Sequence, residues 1–336
     1  MYTDEDLNLA VDKGVFTTSS VDAFRHLVSA ERSTSSVDEE NFRLIGGFND
    51  IFVVIACVLL LASARWVVEF VTHSSIAGYG VMALLSWGLS EFFVLRRKMA
   101  LPAIVLLISF IGAIFYAVLS QFTPGANMAY VVAAAMSFLA AGLHWIRFKV
   151  PITIAAGTAA LIGLFVALLV SVFPQIHVWI LFAVFVCGLC AFSFAMYWDS
   201  TDIKRITRNS DVAFWLHLLS APLVIHPIFS SFGILDGSES LLGLAFVLFL
   251  YLLMSLISIA IDRRAFMVSS LIYVLYAVSS IIENYGGVGY SFAITGVLMG
   301  GVLLLVSALW QQIRQALIKR LPAALTAYLP QVTVNH

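Results

Sequence analysis

The run LLGLAFVLFLYLLMSLISIAI, residues 241–261, holds no charged residue. As a helix rising about 1.5 Å per residue, it is long enough to cross a hydrocarbon layer about 30 Å thick. A strand of a membrane barrel would alternate apolar and polar residues, and this run does not. The rest of the chain repeats the pattern. Its 336 residues are 61% hydrophobic and only 11% charged, with a mean hydropathy of +1.00. A water-soluble domain of this size has too little interior to bury that much apolar surface. The expected fold is therefore all-α, a polytopic helix bundle whose first partner is the lipid bilayer.

About ten transmembrane runs can be drawn: Asp50 to Val71, Ile76 to Leu95, Leu101 to Phe122, Met128 to Ile146, Pro151 to Phe173, Ile176 to Trp198, Val212 to Phe232, Leu241 to Ile261, Phe266 to Ile282 and Val288 to Gln311. They divide the chain into an N-terminal helical hairpin and linker (1–49), a ten-span bundle (50–311) and a C-terminal tail (312–336). Alternating the connections between two sides places every one of the 18 Lys and Arg residues except Arg65 on one side. Cytoplasmic loops carry such an excess, so both termini are expected to be cytoplasmic. Arg65 has Glu69 one turn further on as its expected partner.

In the N-terminal segment, Thr3 with Asp6 reads as a capping box, Gly14 as a helix stop, and Ser19 with Asp22 as the start of a second helix. The segment lacks the charged start and cleavage site of a signal peptide. It is expected to fold as a cap, or to serve as a docking module for a protein partner.

An amphipathic two-helix start, short loops and the closing segment Arg314 to Pro330 follow, with PheAsnAspIlePhe (48–52) and PheTrpLeuHisLeu (214–218) as the most distinctive pieces. In this layout the chain resembles uncharacterised bacterial predicted-membrane-protein families, known only as domains of unknown function. The resemblance implies a location in the bacterial cytoplasmic (inner) membrane and carries no activity with it.

Polar residues inside spans are costly and mark function or structure. Asp50 reads as a cap at the entry of the first span. Glu91 reads as a partner of the nearby Arg96 to Lys98. Cys187 and Cys190 form a C-x-x-C without flanking His or acid, so they and Cys57 read as small apolar residues. Gly296 and Gly300 read as a helix-packing motif, and the Trp and Tyr residues near span ends, Trp310 among them, as an aromatic belt. Glu283, directly after an apolar run, is a candidate on the outer side. No nucleotide loop, hydrolase elbow or metal-ligand spacing is present, so no cofactor, metal or nucleic acid is expected.

The richest stretch is Asp199 to Pro227, DSTDIKRITRNSDVAFWLHLLSAPLVIHP. Asp199 and Asp202 share a helix face, Asp211 is placed to cap the seventh helix, and Lys204, Arg205 and Arg208 stand beside them as a self-neutralising loop. Inside the seventh span, His217 and His226 lie nine residues apart, on opposite faces. Pro222 and Pro227 each remove a helical N–H, which predicts a kink or break. Two groups of candidate residues follow: a substrate or proton pathway of His217, Ser220, Pro222, His226 and Glu283, and an acidic cluster of Asp50, Asp199, Asp202 and Asp211. A small-molecule or ion transporter is the leading function; a structural, assembly or signalling protein, and an enzyme acting on lipid-like substrates, are the alternatives.

Overall fold

In a computed structural model, the described residues are 7, 10–24, 48–123, 125–202, 207–231, 241–286 and 291–322. The chain divides into two compact units, one of Met1–Phe42 with Thr333–His336 and one of Arg43–Val332. In the first unit, helix covers residues 10–12 and 18–24. Gly14 ends the first stretch in the left-handed conformation at φ 71°, as its position predicts. The second stretch is capped by Thr17 rather than Ser19: Thr17 Oγ1 accepts from Ser20 N at 3.2 Å, and Ser20 Oγ accepts from Thr17 N at 3.0 Å. Thr3, Asp6 and the linker lie outside the described residues.

The second unit is helical throughout its described residues. Its elements are α1 (Phe48–Thr72), α2 (Ser75–Ser90) running on into a π-helical segment (Glu91–Arg96), α3 (Ala100–Leu119), α4 (Asn127–Phe148) and α5 (Ile152–Val172). A 3₁₀ segment (Pro174–Trp179) leads to α6 (Ile180–Thr201), then α7 (Arg208–Ser231), α8 (Leu241–Ile261), α9 (Ala265–Gly286), α10 (Ser291–Ala308) and α11 (Trp310–Ile318). Single residues in the left-handed region break the helices: His73 (φ 51°), Lys98 (φ 52°), Lys149 (φ 54°) and Asp262 (φ 57°). Each satisfies the reversal in a turn of two to four residues.

Among the described residues, seven helices, those from α1 to α7, are long and apolar enough to cross a membrane. The last expected span does not continue to Gln311. The chain bends by 66° at Leu309, and α10 with α11 makes an eighth span only if the bent pair is counted as one. Among the described residues, α8 and α9 contribute shorter apolar segments, Ala245–Ile261 and Ala265–Ser279.

The core is a series of adjoining clusters. Cys57, Leu61 and Leu106 join α1 to α3, and Leu107, Phe148 and Ile152 join α3 to α5. Ala155, Ala195 and Leu216 join α5, α6 and α7, and the largest cluster, with Ile225, Phe229, Val247 and Val274, joins α7, α8 and α9. The centre is α7, buried over 56% of its apolar window against 11% for α1. Ser210, His217 and Ser220 on α7 are buried, whereas His226 is exposed.

One contact fixes how closely α6 approaches α7. A Cβ at Gly188 would lie 2.8 Å from the Leu223 carbonyl carbon and 2.9 Å from Val224 N, so only glycine fits. The close approach coincides with the proline-marked part of α7. No break occurs there: the helix is continuous through Pro222 and Pro227 from Arg208 to Ser231.

Candidate functional site

Where α6 ends, α7 begins and α8 turns into α9, three ionisable side chains meet. Asp199 occupies the last turn of α6 because that helix continues past Trp198 to Thr201. Arg263 stands in the α8–α9 turn, its N–H bonded to Ser258 O at 2.9 Å and its carbonyl accepting from Ser258 Oγ. His217 lies on the buried face of α7. Arg263 Nη2 donates to Asp199 Oδ1 at 2.7 Å, and His217 Nε2 sits 2.9 Å from Asp199 Oδ2. The same Nη2 also reaches Ser210 O and Ser210 Oγ, both at 3.2 Å, which ties the first turn of α7 to the turn after α8. Phe192 packs edge-on to the imidazole with centroids 5.5 Å apart.

All three side chains are buried: His217 is 0%, Arg263 2% and Asp199 3% exposed. Removing a carboxylate and a guanidinium from water costs several kcal/mol each, and only close, hydrogen-bonded pairing offsets this. The carboxylate is thus held from both sides, by the guanidinium on Oδ1 and by the imidazole on Oδ2.

The charged and apolar halves of the Asp199 to Pro227 stretch are thus not separate. Asp199, expected to share a helix face with Asp202 in an acidic cluster, is the partner of His217, and Arg263, expected only to set orientation, is buried against its other oxygen. Asp202 does not join the cluster. It caps the connection, its Oδ2 accepting from Thr207 N at 2.7 Å and Thr207 Oγ1 at 2.6 Å. Asp211 lies inside the first turn of α7, which starts four residues earlier than expected. Asp50 is likewise inside the first turn of α1 and buried there. Lys204 and Arg205 lie outside the described residues. Among the described residues, no three His, Cys, Asp or Glu side chains are grouped to hold a metal.

His226 points away from His217, as nine helical positions require. Its Nδ1 lies 2.7 Å from the Tyr273 hydroxyl of α9 and 3.4 Å from Ser230 Oγ. Ser220 Oγ donates to the His217 carbonyl at 3.1 Å and is fully buried. Pro222 is exposed and Pro227 buried on the same helix. The side chain of Glu283 lies outside those described.

Other polar residues take partners far away in sequence. Glu91 pairs with Arg147 of α4, not with its neighbours Arg96 to Lys98: Arg147 Nε and Nη2 donate to its two oxygens at 2.8 and 2.7 Å. This pair is solvent-accessible, so Glu91→Gln is expected to leave the melting temperature in detergent unchanged within error. Arg65 does pair with Glu69, at 3.0 Å. Trp310 is buried, not part of a belt, and its indole Nε1 donates to Asp262 Oδ1 at 2.8 Å. Cys57 is buried, but Cys187 is half-buried and Cys190 exposed on the surface of α6. Nothing lies within 4 Å of a Cβ built at Gly296 or Gly300, so the motif packs no helix among the described residues.

The sequence reading missed His144. It is fully buried on α4, walled by Trp87, Phe110 and Phe148, with Nδ1 3.3 Å from Thr153 Oγ1 of α5. Its signal was a histidine one helical turn from Arg147 within an otherwise apolar run, with Ser137 seven residues earlier on the same face.

The fold and these buried groups define a class, an all-helical membrane protein with a central ionisable cluster. No family model, no curated protein and no solved structure matches the chain.

Proposed function

We propose that the protein is a ten-span transporter of a small molecule or ion in the bacterial cytoplasmic membrane, with both termini cytoplasmic and Asp199–His217 as its proton-handling pair. One observation carries this reading: a carboxylate, an imidazole and a guanidinium are buried together among apolar helices, where α6 ends and α7 and α9 begin. Ionisable groups in such positions are expensive and mark ion or substrate pathways. Arg263 keeps the carboxylate charged, and His217 exchanges the proton. His226 with Tyr273 forms a second station about 13 Å further along α7, with Ser220 next to the first; Pro222 and Glu283 complete the proposed pathway.

The ion pairs support the topology. Glu91–Arg147 joins the ends of α2 and α4, Asp199–Arg263 joins the end of α6 to the α8–α9 turn, and Asp262–Arg314 joins that turn to α11. Alternating ten spans places all of these ends on the same, basic side.

The test is proton-linked flux in liposomes holding the purified protein, with a pH-sensitive dye inside. His217→Ala is expected to abolish flux, and His226→Ala to slow it. Equal flux with and without protein under every imposed ion and pH gradient would end the transport reading. The compact N-terminal unit favours a second reading, a signalling or assembly protein that binds a partner through residues 1–42. Deleting that unit would then abolish partner binding and leave flux unchanged.

A further inference from the structure

The α8–α9 turn holds a second set of buried charges beside the proposed site. Asp262 accepts from the Trp310 indole at 2.8 Å, and Arg314 Nε lies 3.7 Å from the same oxygen. The Arg264 guanidinium sits over the Trp310 ring, 5.1 Å from its centroid. Trp310 and Arg314 are 2% and 1% exposed. Asp262 therefore grips α11, while the next residue, Arg263, grips Asp199 and Ser210. The left-handed backbone of Asp262 and the two bonds from Arg263 to Ser258 leave the turn little freedom. Moving one side chain carries the other with it.

The helix gripped by Asp262 differs from the spans. It is nine residues long, tipped by 66° from α10, and two-faced. Trp310, Ile313 and Leu317 pack with Ile259 and Met267, whereas Gln312, Ala316, Lys319 and Arg320 are exposed. From Trp310 to Pro322 the chain has three cations and no acid. Arg314 faces Asp262, which leaves Lys319 and Arg320 outward. The apolar face of α11 is taken up by the protein, and the two exposed cations stand just past its end, beside a membrane segment, where headgroups would meet them. Anionic lipids attract such cations.

We propose that the turn closing α11, Lys319 with Arg320, binds anionic phospholipid headgroups and that α11 transmits this seating, through Asp262 and Arg263, to Asp199–His217. The regulatory part rests on the reading of that pair as the working site. Lipid seating holds α11 on Asp262, and Asp262 holds Arg263 in place on the carboxylate.

The test uses the full chain in vesicles of phosphatidylcholine alone or mixed with phosphatidylglycerol, read by amide hydrogen exchange. Anionic lipid is expected to slow exchange several-fold in residues 310–320 and also in the first turns of α7. The pair Lys319→Gln with Arg320→Gln should remove both responses. Trp310→Phe should keep the first and lose the second; if that variant does not reconstitute, Asp262→Ala serves the same purpose. Identical exchange of residues 310–320 in the two lipids overturns the surface role, and a retained α7 response in both uncoupled variants overturns the transmission. Flux in the same vesicles separates the two readings: lost exchange responses with intact flux sink this proposal alone. Intact responses without flux sink only the transport reading.

Discussion

Replacing Arg263 by alanine is expected to destabilise the protein by about 3–5 kcal/mol, because it leaves Asp199 buried without its cation. The cost should appear as a large drop in the unfolding midpoint in mild detergent. His217 can compensate in part by holding a proton. Asp199→Ala should cost a comparable amount, since it strands the guanidinium, which is 2% exposed. The double replacement Asp199→Leu with Arg263→Met removes both charges and is expected to recover most of the loss, because a matched apolar pair has no desolvation to offset. That double variant separates structure from function. A purely structural pair would leave the rescued protein active in any assay, whereas a working pair would leave it stable and inert. A loss below about 1 kcal/mol for Arg263→Ala would place the pair in contact with water and remove the argument for the site.

The second large effect is expected at Gly188. Alanine there puts a methyl carbon against Leu223 and Val224 backbone at distances that Cβ atoms do not tolerate, so α6 and α7 must separate. Overpacking of this kind costs about 1–3 kcal/mol for a single added carbon, and valine should cost more. Gly163→Ala on α5 is the control, since nothing lies within 4 Å of the added carbon; it should be neutral or slightly stabilising, as alanine is the better helix former. Because Gly188 and Asp199 share α6, the displacement should also weaken the His217 contact. Gly188→Ala with a melting temperature equal to that of Gly163→Ala would mean the two helices are not held at that distance.

Much of the fold was legible because the signal for a membrane helix is local. Leu241 to Ile261 has the same limits in sequence and structure, and the other spans up to α9 differ by a few residues at their ends. The last one misled, since hydropathy does not distinguish a straight helix from one that bends at Leu309, and Trp310 reads equally as belt or core. The site was half legible. His217 and Asp199 stood out as polar residues beside apolar runs, but a histidine 18 positions from an aspartate says nothing of contact. Arg263 is 64 residues from its partner, and Glu91 is 56 from Arg147. Such pairings are set by which helices pack together, and a single sequence does not carry that information. The break expected at the prolines does not occur, since α7 runs on as one helix through Pro222 and Pro227.

The order of the three buried groups along the chain also bears on its assembly. Asp199 and His217 belong to one helical hairpin, 18 residues apart, whereas Arg263 lies beyond α8. A chain ending after α7 would hold the carboxylate and the imidazole but lack the guanidinium that offsets the cost of burying the carboxylate.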